Sequence, residues 1–177
     1  MRIEDQVVPR KKEIIQEWFD LLANTYPLET VRMLKKETNQ FANPVGHTFS
    51  VTISKIFDEF MGENDAETLR PLLDKIIRIR AVQEFSPSSA LAFIFGLKSI
   101  CRELLKTETA GGVVSADELL DFEERVDGLV LFAFDVYMRC RQDLFDVRMT
   151  EVKDRTFRLL QRAQLVAELR PEKSEDS

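Results

Sequence analysis

Side chains that attack, shuttle protons or hold metals are scarce in this sequence. The single histidine, His47, and the two cysteines, Cys101 and Cys140, are its candidates for a base-assisted nucleophile. No motif places either thiol beside the imidazole, and both cysteines stand in helical apolar patterns without a CxxC spacing. His47 has a second use as an iron or haem ligand, since a helical domain with 13 Phe can enclose a porphyrin. The plainer alternative is a helix-terminal histidine bonded to structure or water. The Phe residues likewise read either as packed core or as the lining of a hydrophobic-ligand cavity. The acidic pairs Asp58-Glu59, Asp117-Glu118 and Glu123-Glu124 lack the Glu-x-x-His spacing of di-iron bundles and read as solvated helix faces. With no GxGxxG, GxxxxGK[ST] or GxSxG, phosphate-loop and serine-hydrolase chemistry have no motif. The expectation is a non-enzyme with no catalytic residue, cofactor or metal.

Arg78, Arg80 and Gln83 are the other polar residues that stand out. Positions 78 and 80 lie about 200° apart around a helix, so at most one guanidinium faces inward. The inward one, taken as Arg80, is expected to bond the terminal carbonyls of its own helix, where positive charge is favoured. The rival use of this segment is an interaction surface.

The elements that position these residues are helices. A chain of 177 residues, 44% hydrophobic and 32% charged, suits one domain with a real core. Its net charge of -6, from 25 Lys plus Arg against 31 Asp plus Glu, gives no help toward nucleic acid or anionic lipid. The longest apolar runs fall short of the ~18 residues of a membrane span, and the first residues lack a signal-peptide layout, so a reducing cytoplasm is the expected compartment. Apolar stripes of helical period run from Arg10 to Thr25 and from Leu28 to Lys36. Asn43-Pro44 opens a helix to Met61, with Gly62 as a left-handed stop, and Asn64 with Glu67 resembles a capping box for a helix ending near Gln83. Ser86-Pro87 begins a central core helix that reaches about Thr107. After the capping box Ser115-Glu118, nothing breaks a helix for about 50 residues, far beyond the usual 11 to 12.

The second half of that stretch carries Phe145, Met149, Val152, Thr156, Leu159, Ala163 and Val166, spaced 4, 3, 4, 3, 4, 3. This is coiled-coil spacing and predicts a partner helix, with a homodimer as the expected assembly. The organisation expected is a helical domain over 1–145, a linker-like helix over 146–170 and a disordered tail over 171–177.

The stretch Arg78-Ile79-Arg80-Ala81-Val82-Gln83-Glu84-Phe85-Ser86-Pro87-Ser88, taken with Phe41-Ala42-Asn43-Pro44-Val45-Gly46-His47, resembles the N-terminal domain of RsbRD-type proteins. Those proteins are co-antagonists of the RsbT kinase in bacterial stress signalling. The likeness covers roughly residues 12 to 145. It implies an all-α sensory or regulatory module, globin-like or a related bundle, by analogy with the dimeric, non-haem domains of stressosome proteins. In such relatives a helical linker leads to a phosphorylated STAS domain. The 177 residues here leave no room for one, so the expected output passes through a separate protein partner.

Overall fold

Helix starts in this chain are set by side-chain oxygens that take up the free N–H groups of a first turn. Asn43 accepts from Gly46 N at 2.9 Å, Ser86 from Ser89 N at 3.2 Å, and Ser115 and Glu118 bond reciprocally in a capping box. The computed structural model describes residues 3–36, 41–63 and 65–162. Over these residues the chain is all helical: α1 Ile3–Val7, a 3-10 turn Val8–Arg10, α2 Lys11–Ala23, α3 Leu28–Lys36, α4 Pro44–Met61, α5 Ala66–Val82, α6 Pro87–Leu104, α7 Lys106–Ala110 and α8 Ala116–Arg162. No strand occurs among them.

Three boundaries differ from the sequence reading. The cap of α5 is Asp65, whose carboxylate accepts from Thr68 N at 2.9 Å, in place of Asn64, which lies outside the described residues. Gly62 stops α4 at φ -91, so the turn needs no left-handed residue. The helix from Ser86 ends at Leu104, and α7 follows as a separate turn.

The chain divides into two compact units, Met1–Cys140 and Arg141–Ser177, a division five residues before the expected boundary at 145. In the first, α2 packs on α4 and α6, α4 on α3 and α5, and α5 on α6. Trp18, Phe49, Phe57, Phe60 and Phe122 are the large aromatic side chains fully buried at their centre. The N-terminal half of α8 runs antiparallel to α6, as the ion pairs Lys98–Asp127 and Arg102–Glu123 require. Arg125 adds a bond to the exposed carbonyl end of α4 at Phe60 O (2.5 Å) and a pair with Glu4 of α1 (2.7 Å). In the second unit, every described residue from Phe145 to Arg162 is exposed. The linker-like helix over 146–170 is described only as far as Arg162, and the tail 171–177, with Ala163 and Val166 of the seam, lies outside the described residues. None of the helices of the described chain is long and apolar enough to cross a membrane.

Asn43 does more than cap. It is buried, and its Nδ2 donates to Met33 O (3.2 Å) and Leu34 O (3.1 Å), tying the end of α3 to the start of α4. The carboxamide fills the space over Gly46, where an added Cβ would fall 2.7 Å from Asn43 Cγ. Gly46→Ala, which elsewhere in a helix gains about 1 kcal/mol, should therefore lower the melting temperature. Asn43→Ala should cost about 1–3 kcal/mol for a lost cap and two stranded carbonyls. In a double-mutant cycle followed by thermal unfolding, the pair should be strongly non-additive, because Ala at 43 removes the clash that Ala at 46 creates.

Candidate functional site

Arg80 is fully buried where α5 turns into α6. Its Nε donates to Ala90 O at 3.0 Å, Nη2 to Ser89 O at 2.7 Å and Nη1 to Thr25 Oγ1 at 2.9 Å. These acceptors correct the sequence expectation: they belong to the first turn of α6 and to the chain after α2, and not to the last carbonyls of α5. The carbonyls of Ser89 and Ala90 each have a second lone pair beyond the one used by the helix, which a planar fork can reach. The guanidinium also lies 4.2 Å from the ring centre of Phe85, 5.4 Å from Tyr26 and 5.9 Å from Phe93. Burial lowers its pKa, and the partly buried Tyr26 opposes that shift.

The end of α5 is closed by backbone alone. Phe85 N bonds Arg80 O and Glu84 N bonds Ala81 O, both at 3.2 Å, with Glu84 left-handed at φ 63. This is a Schellman turn with Glu where Gly is usual. The apolar contact that normally accompanies it is replaced by the Phe85 ring over Arg80. Gln83 accepts from Tyr26 OH at 2.8 Å, Tyr137 of α8 donates to Phe85 O at 2.7 Å, and Trp18 of α2 donates to Phe93 O at 2.7 Å. Ser86 caps α6 and Pro87 occupies its first turn. The stretch from Arg80 to Pro87 is thus one junction at which α2, α5, α6 and α8 meet. Arg78 points the other way, exposed and paired with Asp74 at 2.9 Å.

The candidates for chemistry are dispersed. Cys101 is buried in α6, its thiol pushed up to about 12 by burial and by the charge of Glu17, so it stays protonated at neutral pH. Cys140 is buried in α8 and donates to Asp74 at 3.3 Å. The Asp74 carboxyl is held below the usual range, first by Arg78 and then by the thiol. Among the described residues no group of three or more His, Cys, Asp or Glu is placed to hold a metal. His47, half-buried in the first turn of α4, lines a crevice of about 350 Å³ in which Phe19 is the one Phe. Six Phe, at 19, 49, 57, 60, 93 and 122, are core, while those at 41, 95, 134, 145 and 157 are exposed. Asn43 and Pro44 start the helix that carries His47.

Sequence reasoning found Arg80 and missed its partners. Thr25 and Tyr26 are ordinary residues of a loop 55 positions away in sequence, and no local pattern points from them to Arg80. Glu84 carried no signal either, since a left-handed Glu looks like any other Glu.

The fold and this junction define an all-α domain whose most elaborated polar site is architectural. The chain belongs to the RsbT co-antagonist protein rsbRD N-terminal domain family, whose model matches residues 12–152. This is a sensor domain of stressosome-type proteins and is not known as catalytic; no STAS domain is found in the chain. An uncharacterized protein of Archaeoglobus fulgidus is similar, 24% identical over 144 residues that make up 80% of this chain and 83% of that one. No solved structure matches significantly.

Arg80→Lys should lower the melting temperature clearly, because a compact ammonium lacks the planar, spread fork that reaches Thr25, Ser89 and Ala90 at once and lies against the rings. Arg78→Lys should stay within about 0.5 kcal/mol, as surface changes usually do. Glu84→Gly should raise the melting temperature and Glu84→Val lower it, since φ 63 suits only glycine without strain. His47→Ala should cost at most about 1 kcal/mol, the worth of one ordinary hydrogen bond; calorimetry of the five variants beside the wild type reads each effect.

Proposed function

We propose that the chain is a non-enzymatic sensor or adaptor domain of cytoplasmic stress signalling that works as a homodimer and passes its signal to a separate protein partner. Membership of a sensor-domain family supports the sensory half of this reading. The observation that carries the assembly half is the exposure of the second half of α8. Phe145, Val152 and Leu159 are each 57% exposed, Met149 is 38% exposed, and Thr156 is exposed beside them. Most helical stability in proteins comes from packing an apolar face and not from propensity. A helix that continues to Arg162 while burying none of that face is matched to a partner helix, and the heptad period selects a second helix of the same kind.

Two of the family's motif residues support a scaffold role: the hydrogen bonds described for Arg80 and Asn43 go to neutral carbonyls, a hydroxyl and a backbone N–H.

Light scattering of the wild type should give twice the 20.5 kDa mass of the chain. Val152→Asp with Leu159→Asp should give the monomer with unchanged helicity in residues 3–140, because charges in a closed seam cost several kcal/mol. A monomeric wild type, or an intact dimer of the double variant, would sink this assembly.

A further inference from the structure

The exposed face of the second unit sorts its residues by seam position. One of the two alternating positions holds Phe145, Val152 and Leu159, all apolar and each 57% exposed. The other, three residues ahead of each, holds Gln142, Met149 and Thr156, and Gln142 and Thr156 are exposed polar residues. Polar side chains therefore enter the seam at one position only.

That segregation decides how two such helices fit. In a parallel, in-register pair each position meets its own copy. Gln142 then meets Gln142 and Thr156 meets Thr156, groups that both donate and accept hydrogen bonds, while the layers of Phe145, Val152 and Leu159 stay wholly apolar. In an antiparallel pair the two positions meet each other, which sets Gln142 and Thr156 against Phe, Val or Leu and buries them without partners. A parallel pair slipped by seven residues sets both against Met149.

The flank of the seam gives a second, independent reason. Arg141, Arg148, Arg155 and Arg162 follow one another every seven residues, about 10 Å apart along the helix, and the last three are fully exposed. Antiparallel helices bring these columns side by side, arginine against arginine in every register. Parallel helices bring each column beside Asp146, Lys153 and Leu160 of the second copy. Arg141 then pairs with Asp146 of that copy, and Arg155 lays its stem along Leu160. Arg148 beside Lys153 is the one like-charge contact. Within one copy Gln142 Nε2 donates to Asp146 Oδ1 at 2.9 Å, so the first polar layer and the flanking pair share a carboxylate. An acidic helix of another protein would match the arginines but not the two polar layers; a second copy supplies both by symmetry.

We propose that this seam joins two copies of the chain in parallel and in register, with Gln142 and Thr156 as the polar layers that set the orientation. The inference rests on the homodimer reading and deepens it. Light scattering reads the dimer and cross-linking reads its orientation, so the two can fail separately.

The test is oxidative cross-linking of the full chain carrying Phe145→Cys or Leu159→Cys, since facing residues of a seam layer fall within the about 4–7 Å Cα range of a disulfide. Each variant should link to itself, whereas a mixture of the two, one bearing a size tag, should give no mixed link. The wild type, whose Cys101 and Cys140 are buried, should stay unlinked. A mixed 145–159 link, or self-linking at only one of the two positions, would overturn the proposal in favour of an antiparallel or slipped pair. A wild-type dimer in which neither position links would overturn it in favour of an interface elsewhere, and a monomeric wild type would remove both readings. Gln142→Leu with Thr156→Leu should tighten the dimer by at least about 10-fold, because polar residues at this position set register at a cost in stability. An unchanged or looser dimer would overturn the part given to the two layers.

Discussion

A buried guanidinium whose hydrogen bonds go to neutral oxygens is the constraint on which this fold turns. Arg80 cannot give up its proton in any ordinary condition, so removing it from water is costly unless its nitrogens find acceptors. The chain meets that demand from three separate segments: the hydroxyl of Thr25, the carbonyls of Ser89 and Ala90, and the faces of Tyr26, Phe85 and Phe93. Each can be in place only if the α5–α6 turn and the loop after α2 have both formed. A half-built junction strands a charge, which makes it a specifier of one arrangement more than a source of stability.

The same logic governs the other motif at smaller scale. Asn43 is buried, and its carboxamide both accepts from α4 and donates to α3. Gly46 is required there by the space the carboxamide fills, since its backbone is ordinary helix. The two motifs therefore act at helix junctions, one between α3 and α4 and one between α5 and α6. The resemblance to a family of sensor domains rests on residues that hold the scaffold.

How much of this was legible in the sequence follows from the range of the forces involved. Caps and periodicity act within four residues, and Asn43-Pro44, Ser86-Pro87 and Ser115-Glu118 do start helices where local chemistry says they should. The cap of α5 is Asp65, which a reading based on the Asn64–Glu67 spacing passes over although its carboxylate is an equally good acceptor. That Arg80 faces in and Arg78 out follows from helical geometry, yet Arg80's acceptors were misread. The carbonyls of its own helix are closed by the Schellman turn at Glu84, which frees the fork to reach across to α6.

The two halves of α8 obey different physics within one helix. Up to Cys140 its apolar positions Phe122, Val126, Leu129, Val130, Ala133 and Val136 are buried, and polar anchors at Arg125 and Tyr137 fix its register. Beyond it the apolar face narrows to every third and fourth residue and none of it is covered. A broad stripe is what a helix needs to lie against a globular core, whereas a narrow one fits a single neighbouring helix. The change from broad to narrow falls close to the division between the two units at Cys140.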